Sequence, residues 1–154
     1  MVQQSFDRTQ DDNLVFTSGA TLTASGAIGS SIDLGGADAL HQFDVVLQVT
    51  ACDVASGDEV YSILLQVGDA SDFTAATKVI PVASVRLGHS SKLGANATTN
   101  VTTGRYILSG HNFAYATAGD AGTGTYYRYA RLVLDATGST TPSITLRAFG
   151  SKRQ

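Results

Sequence analysis

The stretch QFDVVLQVT, residues 42 to 50, puts Phe43, Val45, Leu47 and Val49 on one side of an extended chain and Asp44, Val46, Gln48 and Thr50 on the other. A two-residue period is that of a strand with one face buried, and no helix can bury such a set on one stripe. Residues 59 to 67 repeat it, with Tyr61, Ile63, Leu65 and Val67 against Ser62, Leu64 and Gln66. ASGDE between the two supplies a turn, so the pair reads as a hairpin. Further strands are predicted at 14 to 23, 30 to 35, 77 to 87, 104 to 109, 111 to 117, 125 to 135 and 143 to 149, and no helical period of useful length occurs.

The punctuation between these runs is turn chemistry: SGA, SGAIGS, GDASD, AGDAGTG and ATGSTTP. With 16 Gly, 2 Pro, 43% hydrophobic and only 15% charged residues, the 154-residue chain has the composition of a turn-rich β-domain with enough length for a substantial core. Eight or nine short strands predict an all-β fold, a single-domain jelly-roll-like β-sandwich over residues 14 to 154. Residues 1 to 13, MVQQSFDRTQDDN, are polar with Phe6 as their only aromatic and are predicted to form a flexible N-terminal arm that orders on a partner. Segment 88 to 103 has no apolar rhythm and is expected to project outwards.

The first residues carry no basic region followed by an apolar run, and no stretch is long enough to cross a bilayer, so a soluble, unsecreted protein without membrane contact is expected. The Asn96 and Asn100 sequons then read as loop residues. The single cysteine, Cys52, cannot form an internal disulfide and reads as a core or strand-end thiol.

Catalytic and metal-binding patterns are weak. Asp69 and Asp72 follow Gly68 at a strand end, but the loop lacks the repeated acids and closing Glu of a calcium site. The two carboxylates read as turn caps, with Phe73 dropping back into the core. His41, His89 and His111 lie on separate turns or strand starts, there is no G-x-S-x-G elbow, and GDAGTGT at 119 to 125 leads into a strand instead of a lysine-bearing helix. The expectation is a non-enzyme with no metal and no cofactor.

Charge is divided along the chain. Residues 1 to 77 hold eleven acids and one base, Arg8, while residues 78 to 154 hold nine bases and two acids, which together give the net −3. Acid–base pairing between the halves within one sheet system and opposite-sign surfaces meeting on neighbouring copies both account for this. The bases are too dispersed for a nucleic-acid footprint.

The strand YYRYARLVLD places Ala130, Leu132 and Leu134 towards the core and Tyr127, Tyr129 and Arg131 on the opposite face, with Tyr126 and Arg128 near its start. Tyr and Arg are enriched at protein interfaces. Equally, Tyr127 and Tyr129 could fill the second sheet's side of a sandwich.

Taken in order, SSIDLGG at 30 to 36, FDVVLQVT, ILLQVGDASDFTAATKV, YRYARLVL and the closing ITLRAFGSKRQ resemble the small capsid cement, or decoration, proteins of tailed bacteriophages, over roughly residues 12 to 154. The longer 88 to 103 loop and the extra residues before the first strand depart from that pattern. The resemblance implies a jelly-roll virion protein, made in the host bacterial cytoplasm, that binds the outer surface of a phage head and clamps adjacent major capsid subunits as a homo-oligomer, a dimer or trimer, without enzymatic activity. Phe6, Arg8, Asp11 and Asp12 of the arm, with Tyr126, Tyr127, Arg128, Tyr129 and Arg131, are the expected capsid or subunit contacts. The alternative is a carbohydrate-binding module that stacks sugars on Tyr126, Tyr127 and Tyr129.

Overall fold

A computed structural model describes residues 14–35, 40–74, 79–114 and 124–152. Its elements are β1 (Val15–Leu22), β2 (Gly26–Asp33), β3 (Gln42–Cys52), β4 (Val60–Gly68), β5 (Val79–Gly88), the single helical turn α1 (Ser90–Leu93), β6 (Gly104–His111), β7 (Phe113–Ala114), β8 (Thr125–Tyr126), β9 (Tyr129–Thr137) and β10 (Ile144–Lys152). The predicted arm, with Phe6, Arg8, Asp11 and Asp12, lies outside the described residues.

Two antiparallel four-stranded sheets carry the fold, β1-β10-β3-β6 and β2-β9-β4-β5, with a small β7-β8 ladder beside them. The protein is an all-β sandwich. Its ladders are nested: β1 pairs with β10, β2 with β9, β3 with β6 and β4 with β5. The strand alternation read from the sequence becomes the core directly. Phe43, Val45, Leu47 and Val49 from β3 meet Tyr61, Ile63, Leu65 and Val67 from β4, joined by Ala130, Leu132 and Leu134 of β9 and Ile144, Leu146 and Ala148 of β10. Each large apolar side chain so buried contributes about 1.5–3 kcal/mol.

One expectation fails here. β3 and β4 do not form a hairpin, because they lie in different sheets. The connection between them crosses the end of the sandwich, and each strand turns its apolar face inwards from its own side. Alternation fixes which face is buried but not which neighbour a strand takes. The crossing is pinned by Tyr61, fully buried, whose hydroxyl donates to the Asp53 carbonyl at 2.7 Å and accepts from the Ser143 N–H at 3.0 Å. Burial raises the phenol's pKa above its ordinary value. Beside it the Glu59 carboxylate is fully buried and receives the N–H groups of Ser56 at 2.8 Å and Asp58 at 3.2 Å. Burial opposes its ionisation, but these donors outweigh that and hold it below the ordinary carboxylate value.

Segment 88 to 103 also differs from expectation. Gly88 and Val101 exchange two backbone hydrogen bonds, 2.7 and 3.1 Å, so the segment is a loop closed at its neck. The Ser91 hydroxyl donates to the Gly57 carbonyl at 2.9 Å, and the His89 N–H to the Glu59 carbonyl at 3.0 Å, which folds the loop back on the β3–β4 crossing. Gly88 adopts φ +142°, and a Cβ there would lie 2.3 Å from the Glu59 oxygen. The close neck therefore requires glycine.

Edge strands are interrupted. β1 carries register shifts against β10 on both sides of Thr17, and β5 carries Pro81 beside a shift opposite Leu65 and Gln66. Such irregularities blunt an edge against strand addition. In β2 the shift between Ile28 and Ile32 contains Gly29 at φ +67°, where a Cβ would stand 1.8 Å from the Phe16 carbonyl oxygen.

Two stability measurements follow. Gly29→Ala forces both a left-handed alanine and a backbone shift, and is expected to cost roughly 2–4 kcal/mol in denaturant unfolding. Tyr61→Phe keeps the ring but strands the Ser143 N–H and Asp53 carbonyl, and is expected to cost about 1–2 kcal/mol. A neutral result for either would remove its assigned role.

Candidate interaction surfaces

The Tyr/Arg segment does not continue as one strand. The chain leaves β8 at Tyr126 and enters β9 at Tyr129, and the break between them rotates Tyr127 out of register. Asn112, itself fully buried, causes this: its carbonyl accepts the Tyr127 N–H at 2.7 Å while its side-chain oxygen accepts the His41 N–H at 2.7 Å. Tyr127 is buried in the core at 2% exposure, not on the outer face where strict alternation from Ala130 places it. Its ring is closed to a partner or a sugar.

The other four residues of the set remain near the surface, each braced by a neighbour. Arg128 forks onto Asp33, with Nε 3.0 and 3.1 Å from the two carboxylate oxygens and the terminal nitrogen at 2.7 Å. This pair joins an acid of the first half of the chain to a base of the second, one of the two arrangements the charge division allows. The Arg128 guanidinium also lies 5.4 Å from the Tyr129 ring centroid. Tyr126 packs against Phe113, centroids 5.1 Å apart and planes tilted by 53°. On the outer face of the second sheet, Arg131 bonds Gln66 at 2.9 Å and lies 4.5 Å from the Phe73 ring centroid.

Phe73 ends the turn that begins at Gly68. It is 7% exposed with φ +52°, and it is buried against Arg131 instead of joining the cluster between the sheets. The Asp72 carboxylate accepts the Thr74 N–H at 3.3 Å, and Asp69 has a partner of its own. Among the described residues no group of three or more His, Cys, Asp or Glu side chains is placed to hold a metal ion. Cys52 is partly buried, and burial, helped by Asp53 and Glu59, pushes its thiol up to about 11. A thiol at that value is a poor nucleophile at neutral pH. Among the described residues no helix is long and apolar enough to cross a membrane.

A second surface lies on the outward face of the β1-β10-β3-β6 sheet, and the sequence did not single it out. The register sets Val15, Phe149, Val46 and Ile107 side by side across all four strands. Val46 is 1% exposed and Ile107 47%. The next row along the strands is Arg147–Gln48–Arg105, and on the other side of the apolar row stand Ser151, Asp44 and Ser109. Asp44 is buried at 2% and accepts the Ser109 hydroxyl. A groove of about 350 Å³ is lined by Val15, Thr17, Ser18, Gln48, Arg147 and Phe149. The outward side of an antiparallel sheet is ordinarily polar, so an apolar row beside two arginines is the pattern of a covered face.

The Asp33 carboxyl is held at about 2, below 3.8, chiefly by the Arg128 hydrogen bonds and then by the Gly35 N–H. A lowered value means that its contribution to stability is full above the ordinary carboxylate range and is lost as pH falls from about 3.8 towards 2. Carboxyl-carbon NMR titration is expected to give Asp33 a midpoint near 2 that returns towards 3.8 in Arg128→Gln; an unmoved midpoint would contradict the fork. No protein-family model matches the chain, and no curated protein matches it.

Proposed function

We propose that this chain is a structural binding protein of the capsid cement type, seated on the outside of a phage head and clamping adjacent major capsid subunits as a small homo-oligomer. The observation that carries the reading is the Tyr/Arg rim. Arg128, half-exposed, is fixed by Asp33 from one side and stacked near Tyr129 on the other. A cation held in place before binding loses little entropy on contact, and Arg and Tyr are the side chains that dominate interface energetics.

Two further features support it. The nested pairing of first strand with last, second with second-last and so on inwards is the order of a rolled-up hairpin, which we read as a jelly roll. That is also the fold which the sequence resemblance implies. Many copies on one shell need only modest affinity at each contact, since bridging two subunits makes the second contact intramolecular.

The sugar-platform alternative is less well supported. Of its three rings, Tyr127 is buried, Tyr126 is packed on Phe113, and Tyr129 lies by the Arg128 guanidinium.

Co-sedimentation with expanded empty heads of the cognate major capsid protein tests the proposal. The wild-type chain is expected to pellet with the heads, and Arg128→Glu combined with Tyr129→Ala to weaken binding tenfold or more, about 1.4 kcal/mol or above. Wild-type protein that stays in the supernatant at every concentration would end the reading, and a double variant that binds normally would move the contact away from this rim.

A further inference from the structure

We infer that the free edge of β6 is a self-association edge: it pairs antiparallel with β6 of a second copy about a two-fold axis at Ile107, joining two four-stranded sheets into one continuous sheet. The inference rests on the capsid reading for the homo-oligomer alone, and gives that oligomer its contact.

The other three sheet edges are blunted by their own irregularities. β1 carries two register shifts, β2 a shift at Gly29, and β5 both Pro81 and a shift. β6 carries none, and follows β3 through eight consecutive pairs from Gln42↔His111 to Val49↔Gly104. Among the described residues it has a strand on one side only. The Asn112 N–H donates to the His41 carbonyl at 3.1 Å, so the alternation of an antiparallel ladder turns the main chain of His111, and with it that of Ile107, away from β3. A straight edge of this length is a template for another strand.

Side chains choose the register. Ile107 is 47% exposed and ends the Val15–Phe149–Val46–Ile107 row at this edge. A two-fold axis there sets Ile107 against its own copy and carries the apolar row on across the second sheet. It also exchanges the two polar rows: Arg147–Gln48–Arg105 of one copy runs into Ser109–Asp44–Ser151 of the other. Arg105, in no ion pair among the described residues, then lies opposite a serine with a carboxylate behind it. An axis at Arg105 would instead set two arginines directly opposite, which is destabilising. A closed two-fold contact of this kind uses the same strand on both copies and leaves no open end for further growth.

Analytical ultracentrifugation of the isolated full-length chain, free of any capsid, reads the self-association. A reversible dimer at micromolar concentrations is expected. Ile107→Lys brings two ammonium groups together at the axis and is expected to weaken the dimer tenfold or more. Its side chain is exposed, so the sandwich stays folded, which the circular dichroism spectrum checks.

The register is read by cross-linking in a Cys52→Ser background. Ile107→Cys sets two Cα atoms about 5.5 Å apart, within the span of a disulfide, and mild oxidation is expected to give a covalent dimer. Arg105→Cys, also exposed, stands about 14 Å from its own copy across the axis and is expected to stay uncross-linked under the same oxidant. A wild-type chain that remains monomeric throughout the micromolar range overturns the inference. So does Ile107→Lys associating as the wild type does, or cross-linking that is absent at 107 or equal at both positions. No shell is present in these measurements, so failure here leaves the head-binding test to decide the capsid reading.

Discussion

Among the described residues no ladder joins the two four-stranded sheets, so what keeps them face to face is the apolar layer between them, helped by a few polar ties at the ends. One of these ties is the Tyr61 hydroxyl, which reaches from β4 in one sheet to the end of β3 and the start of β10 in the other. Around it the Glu59 carboxylate organises the crossing, and the neck of the 88 to 103 loop is built on the Glu59 carbonyl. The end of the sandwich is thus a network in which each buried polar group serves two neighbours. Partial loss of such a network costs more than the lost bond, because a low-dielectric site leaves the remaining partners unsolvated.

The alternation of β3, β4 and β9 was legible because a two-residue period survives any tertiary arrangement. Phe43 to Val49, Tyr61 to Val67 and Ala130 to Leu134 all face inwards as their spacing requires. What the spacing did not contain was pairing. The false hairpin of β3 and β4 arose because a seven-residue connection can either turn back within a sheet or step across to the other, and the alternation is the same in both. Tyr127 was misplaced for a different reason: the main-chain carbonyl of Asn112, fifteen positions earlier, takes the Tyr127 N–H at the break between β8 and β9, and an interruption imposed by a distant residue leaves no local signal. The apolar row on the outward face was not legible: Val46 shares its face with Asp44, Gln48 and Thr50, and Phe149 and Ile107 join it only once β10 and β6 are known to flank β3.

The uneven charge along the chain also acquires a meaning from topology. The nested order sets the acid-rich first half beside the base-rich second half, strand against strand, as Asp33 of β2 and Arg128 just ahead of β9 illustrate. Such complementarity adds little to stability at exposed positions, but it favours one relative placement of the halves over others. Arg131 shows the other use of a late base. Lying over Phe73 and bonded through its Nε to Gln66, it holds down the turn after β4. Arg105 and Arg147, on the outward face of the first sheet, are in no ion pair among the described residues.

The partnership of β1 with β10 brings the first and last described strands together at one corner, with Leu14 against Gly150. A contact so distant in sequence closes the longest loop in the fold, and its entropic cost makes it a natural late step in assembly. The same proximity makes the chain a candidate for circular permutation. A short bridge at that corner would let new ends be cut at a distant bend, such as the one between β9 and β10, without asking any strand to change its neighbours.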